Sequence, residues 1–193
     1  LWDGENWQQD FPSSPTSARI SPLSQNPGGG VFLYGGGAGI DWCCLHSDAF
    51  VYSSGEWTAV STAGGPGPLQ LHEIVYDGEN DEVLVYAWND YGYETAPYTY
   101  AWDGATWLAV ESSVFPELYL SEMVFDLDRG RVLLFSGADV SDARSSQLWE
   151  WSGGWSKVEL PSEPPPRNSA NLAYDEERNE IVMFAGQAGF SNS

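Results

Sequence analysis

The stretch YAWDGATWLAV, from Tyr100 to Val110, sets a tryptophan on either side of an Asp-Gly turn. Asp-Gly between apolar, strand-forming residues is a strong hairpin signal. The pattern recurs as LWDGENW from Leu1 and WEWSGGW from Trp149. Trp2, Tyr52, Trp102 and Trp151 each precede a short glycine-containing turn, and Trp7, Trp57, Trp107 and Trp155 follow it. The second set is spaced by 50, 50 and 48 residues. A different marker has the same period. The apolar runs VFLYGG, VLVYAW, VLLFSG and IVMFAG start at Val31, Val83, Val132 and Ile181, which are 52, 49 and 49 residues apart. Two independent markers with one period near 50 identify a repeat protein.

Each repeat carries four short strand signals, a to d. Strand a is HEIVYD (72–77), EMVFD (122–126) or NLAYD (171–175), followed by a polar hairpin. Strand b is the apolar run, whose near-continuous hydrophobicity suits burial on both faces. Strand c is AFVYSS, YTYAWD or QLWEWS, and strand d begins at the second tryptophan. Four antiparallel strands per period predict one blade of a β-propeller. The tryptophans read as apolar plates between blades, because a single blade buries neither face alone.

Composition agrees with an all-β fold. Of 193 residues, 42% are apolar and ten are tryptophan, which excludes disorder, while 21 glycines and 12 prolines call for frequent turns. Seven basic against 28 acidic residues give a net charge of −21. Nucleic acid and anionic membrane surfaces are therefore poor partners. Direct membrane insertion is not expected, since no apolar run approaches the roughly 20 residues that span a bilayer. The chain begins at Leu1, which reads as a processed product or a fragment of a larger chain or assembly.

The matching residues resemble the kelch family. They are the aromatic-Asp end of strand a (Tyr76-Asp77, Phe125-Asp126, Tyr174-Asp175), the small residues after strand b (Gly35, Gly36, Gly137, Gly186) and the paired aromatics Trp102/Trp107 and Trp151/Trp155. The nearest likeness is to divergent kelch-type repeats of bacterial extracellular proteins. The resemblance implies a propeller and, with a single lysine in the chain, an extracellular or secreted location. Two repeats depart from the pattern: Ser24-Gln25 stands where Tyr-Asp is expected, and Ala87-Trp88 where Gly-Gly is usual.

Phase decides how a ring would close. The chain opens on c and d signals and ends after a and b. The repeats fall roughly at 17–60, 70–110 and 120–158, with a shared blade from 170–193 and 1–10. The expectation is one domain over 1–193 with about four blades, the N-terminal c/d strands pairing with the C-terminal a/b strands. The alternative is an open segment of a longer array.

Loop lengths predict where function would sit. The a–b and c–d turns are tight, whereas the b–c loops (35–48, 87–99, 137–147) and the d–a loops are long and share one face. Long loops on a rigid scaffold carry binding residues. Candidates there are Asp41, Trp42, His46, Trp88, Asp90, Tyr91, Tyr93, Glu94, Tyr119, Asp139 and Asp142, with Tyr98 and Phe115 beside them. Aromatic plates beside carboxylates suit sugar rings and equally suit a protein partner, so the predicted function is a non-catalytic binding or assembly module for a protein or glycan. In DWCCLHSD (41–48), the adjacent Cys43 and Cys44 read as free thiols, a vicinal disulfide or metal ligands. DGENDE (77–82) has alternating acids, as calcium loops do, without their twelve-residue spacing. No cofactor is predicted, and calcium and copper stay open. The rival reading is a small enzyme. Galactose oxidase, a copper radical enzyme, is a distant relative in fold, and the resemblance then implies a copper-oxidase-like or glycan-active site using His46 or His72 with loop carboxylates.

Overall fold

The computed structural model describes residues 2–8, 19–37, 45–69, 71–88, 97–139 and 141–188. It is all-β and built as a β-propeller. The first blade contains β1 (Leu23–Gln25), β2 (Val31–Tyr34), β3 (Ala49–Ser53) and β4 (Glu56–Val60). The second contains β5 (His72–Asp77), β6 (Glu82–Trp88), β7 (Pro97–Trp102) and β8 (Trp107–Ala109). The third contains β9 (Glu122–Asp126), β10 (Arg131–Phe135), β11 (Leu148–Trp151) and β12 (Trp155–Val158). Each is a four-stranded antiparallel sheet in chain order, and β13 (Arg167–Asp175) pairs with β14 (Glu180–Ala188) as the a–b half of a fourth blade. Strand a of each blade packs on strand a of the next: β1 on β5, β5 on β9 and β9 on β13. Those strands therefore line the axis. No helix among the described residues is long and apolar enough to cross a membrane.

The register repeats from blade to blade. The first apolar residue of strand b faces the first aromatic of the c–d hairpin: Val31 faces Tyr52, Val83 faces Trp102 and Val132 faces Trp151. Every hairpin brings its aromatic pair together, with ring centroids 5.3 Å apart for Tyr52–Trp57, 5.1 Å for Trp102–Trp107 and 5.5 Å for Trp151–Trp155. The second and third of these pairs pack between blades. Trp102 and Trp107 each lie 6.0 Å from Phe32 of the first blade, and Trp107 meets Tyr34 edge-on at 5.0 Å. Trp155 meets Tyr86 of the second blade edge-on at 5.7 Å and donates its indole N–H to Thr99 Oγ1 at 2.8 Å. Such contacts add about 0.5–1.5 kcal/mol per ring pair to the apolar burial. The packing role read from the tryptophans holds for Trp102, Trp151 and Trp155, all buried.

The aspartate ending strand a is a turn device. Asp77 Oδ1 accepts the backbone N–H groups of Glu79 and Asn80, at 3.0 and 3.4 Å. Asp126 takes the N–H and guanidinium of Arg129, and Asp175 takes those of Arg178. Thus DGENDE is held as an a–b turn with Asp77 committed to its own backbone. The small residues after strand b have an equally physical role. Gly36 has φ +90° and Gly137 has φ +114°, and a Cβ there would lie 2.5 Å from the Ile20 carbonyl or 2.9 Å from that of Tyr119. In the second blade, where Ala87-Trp88 replaces the glycines, β6 runs on through both positions and pairs Ala87 with His72.

One expectation needs correction. Since Gln25 faces Val31 as Tyr76 faces Val83, the residues in the Tyr-Asp position of the first repeat are Gln25-Asn26, one place later than Ser24-Gln25. The short, proline-flanked strand β1 hid the offset. Pairing of the N-terminal strands with the last blade stays an expectation, and the described residues do not show it. Trp2 bridges only to Trp7 across its own turn, and no contact comparable to those between successive strands a joins β13 to β1. Near-continuous burial of strand b holds for Val83–Ala87 of β6 but not for β14, where Val182 and Phe184 are 48% and 74% exposed.

Candidate functional site

The d–a loops that follow the first and second blades are tied to them by buried tyrosines at the ends of strand b. Tyr34 donates to the Gly67 carbonyl at 3.1 Å, and Tyr86 donates to the carbonyls of Pro116 and Leu118. Burial raises the phenol pKa of both well above its ordinary value. On the first blade, the buried Arg19 guanidinium clamps the Gly35 carbonyl at 2.9 Å and both Asp48 carboxylate oxygens. The Arg19 hydrogen bond holds the Asp48 carboxyl below its usual range.

The third blade ties its b–c loop to the neighbouring d–a loop through backbone and carboxylate hydrogen bonds. Tyr119 and Ala138 exchange backbone hydrogen bonds at 2.9 and 2.8 Å, and Ser145 N–H donates to the Gly137 carbonyl at 2.8 Å. Asp139 Oδ1 accepts the Ser141 hydroxyl and the N–H groups of Ser141 and Ala143, which lower its pKa. The Tyr119 hydroxyl donates to Asp142, and this bond, with burial and nearby carboxylates, pushes the phenol up to about 12. Three expected site residues, Tyr119, Asp139 and Asp142, therefore meet in one loop cluster. The structure gives Asp139 and Asp142 local partners, so part of their chemistry is spent in shaping the loop.

Beside this cluster opens a cleft of about 620 Å³. Phe115 and Glu117 of the d–a loop joining the second and third blades form one side, and Asp139, Arg144 and Gln147 of the b–c loop form another. Trp149, Lys157 and Glu163 complete the lining. Trp149 is largely buried, with its indole N–H on Gln147 Oε1 at 3.1 Å. Arg144 uses one terminal nitrogen on the Asp142 carbonyl at 3.1 Å, and its Nε has no hydrogen-bond partner in the described structure. Ser146 donates to Glu163 across the opening. Carboxylates, an amide, a guanidinium and an ammonium thus surround an apolar wall, the composition of a pocket that orients a polar ligand. Sequence reasoning reached Asp139 and Phe115 but missed Glu117, Arg144, Gln147, Trp149, Lys157 and Glu163. A signal was present for one of them: Arg144 is the one basic residue in the three b–c loops.

The remaining expected residues divide in two. Asp41, Trp42, Cys43, Cys44, Asp90, Tyr91, Tyr93 and Glu94, with the side chains of Trp88 and Tyr98, lie outside the described residues. His46 sits in a bridge to Leu69, and its charge helps lower the Asp48 carboxyl. His72 is 3% exposed, with Nε2 donating to the Tyr34 carbonyl at 2.9 Å, and burial pushes its pKa down to about 4. It is a buried histidine on strand a. Among the described residues, no three His, Cys, Asp or Glu side chains converge as a metal set.

No protein-family model and no curated protein matches the chain. Among solved structures, it is similar to a fucose lectin from Kordia zhangzhouensis determined with methyl-fucoside. The identity is 13% and the TM-score 0.40, over 72% of this chain and 99% of the lectin.

Proposed function

We propose that the chain is a kelch-type, non-catalytic binding module that takes a neutral glycan in the cleft between the second and third blades. The cleft carries the reading: Phe115 and Trp149 provide apolar surface, while Glu117, Gln147, Arg144 and Lys157 stand around it. A sugar ring needs that combination, because it presents C–H faces and hydroxyls that both donate and accept. The volume of about 620 Å³ suits a small ligand, within the range of about 300–1,000 Å³ for such pockets. A protein partner would need about 800 Å² of surface, more than this cleft offers. The net charge of −21 argues against polyanionic glycans. An extracellular location is part of the proposal and rests on the kelch-type resemblance.

The test is an array of neutral glycans, followed by calorimetry on the best ligand with Arg144→Ala and Glu117→Gln. Either variant is expected to weaken binding about tenfold or more, the cost of losing a hydrogen bond to a charged group. Trp42→Ala and Trp88→Ala in parallel measure any contribution from the other b–c loops. Absence of glycan retention, or wild-type affinity in both cleft variants, would reject the proposal.

A further inference from the structure

The described chain contains two complementary surfaces that do not meet. One is the apolar cavity of about 280 Å³ between the third blade and the β13–β14 half-blade. Leu133, Phe135 and Leu148 line it from the third blade, and Leu172, Ile181 and Met183 from the half-blade. Its position in the repeat is informative. Phe135 and Leu133 occupy on β10 the places of Tyr34 and Phe32 on β2, and of Tyr86 and Leu84 on β6. In the two complete interfaces those places are covered by the aromatic pair of the next c–d hairpin. The third interface has the same walls and no aromatic pair among the described residues.

The other surface is the hairpin at residues 2–8. Its rings are 5.5 Å apart, the spacing of Trp151–Trp155. Asp3 caps its turn through Glu5 N–H and Asn6 N–H at 2.9 and 2.7 Å, as Asp103 caps the second-blade turn. It is a preformed c–d hairpin, yet Trp2 is 53% and Trp7 80% exposed, against 3% and 5% for Trp151 and Trp155. Exposed tryptophan pairs are strong interface anchors, and the outer edge of β14 offers a strand template that has no ladder partner among the described residues.

We propose that the hairpin of one copy completes the fourth blade of a second copy, with Trp2 facing Ile181 in the register by which Val132 faces Trp151. The two tryptophans then enter the cavity against Phe135 and Met183. A second copy is the occupant because it supplies a hairpin that matches the repeat, and within the described chain Trp2 and Trp7 are exposed and do not line the cavity. The contact is head-to-tail, so copies form a ring or an extending chain. This inference stands apart from glycan binding, since cavity and cleft share no lining residue.

The 193-residue chain is to be examined by sedimentation across a concentration series at about 0.15 M salt, where repulsion between exposed charges is screened beyond about 8 Å. Wild type is expected to self-associate, and Trp7→Ala to weaken association about thirty-fold or more. The decisive arm mixes Trp7→Ala, which has an intact groove, with Met183→Asp, which has an intact hairpin. Each alone is expected to stay monomeric, and a one-to-one mixture to form a dimer that grows no further. Trp7→Ala leaves every buried core residue in place, so a folding defect in it is not expected, and Met183→Asp need contribute only its hairpin. A monomeric wild type with both N-terminal tryptophans protected from quencher would mean closure within one chain and overturn the proposal. A mixture that stays monomeric would also overturn it.

Discussion

Replacing Trp155 by alanine tests the physical basis of the fold most directly. Trp155 is 5% exposed, packs on Trp151 at 5.5 Å and Tyr86 at 5.7 Å, and donates to the buried Thr99 hydroxyl. Truncating a core tryptophan costs about 3–5 kcal/mol through lost burial and the cavity left behind. Leaving Thr99 without its buried donor adds about 1 kcal/mol. The expected loss is about 4–6 kcal/mol, a large part of the roughly 5–15 kcal/mol that stabilises a typical domain. Trp155→Phe keeps a ring and loses mainly the hydrogen bond, for about 1–2 kcal/mol. Trp7→Ala is the matched control, because it occupies the equivalent repeat position but is 80% exposed. In dilute chain it should move stability by no more than about 0.5 kcal/mol. Urea unfolding followed by far-ultraviolet circular dichroism measures all three. A loss below about 1 kcal/mol for Trp155→Ala, or equal losses at Trp155 and Trp7, would refute the claim that blades are held together by these rings.

Further measurements address other parts of the structure. Glu73 on strand a is partly buried, with Glu122 nearby, and desolvation followed by that like charge raises its pKa well above 4.5. Its contribution to stability is complete below the ordinary value and is lost as pH rises through the folded one. Glu73→Gln should therefore stabilise the chain at neutral pH, with the gain shrinking as pH falls toward 4.5 in thermal melts. Asp48 has the opposite sign: its pKa lies below 3.8, so its stabilisation is present above that value and is lost as pH falls through the folded one. Asp48→Asn is expected to lower the melting temperature at pH 7 and to approach wild type in strong acid. Gly137→Ala should destabilise by more than about 1 kcal/mol, because φ is +114° and the new Cβ meets the Tyr119 carbonyl. Gly153→Ala, also at positive φ but in open space, should cost less in the same denaturation assay.

Much of this architecture was readable from spacing. The strand signals around 72–77, 122–126 and 49–53 coincide with β5, β9 and β3, because a half-buried strand imposes its pattern residue by residue. The Asp-Gly turns and the glycines after strand b were readable because their backbone geometry admits few other residues. The offset at Gln25-Asn26 was not, since only pairing with Val31 defines that register. The cleft was half readable. Loop lengths indicated its face, but Glu117, Lys157 and Glu163 come from different repeats and separate loops or strands, and no local pattern records their convergence.

The linear order of residues was enough to establish repetition, strand content and the packing role of Trp102, Trp151 and Trp155, since these follow from local periodicity and apolar area. Tertiary structure alone decided which tryptophans are covered. Trp155 and Trp7 carry the same local signal, yet one lies against Tyr86 and the other faces solvent. Burial depends on the neighbouring blade, and a blade is placed by contacts between residues about fifty positions apart.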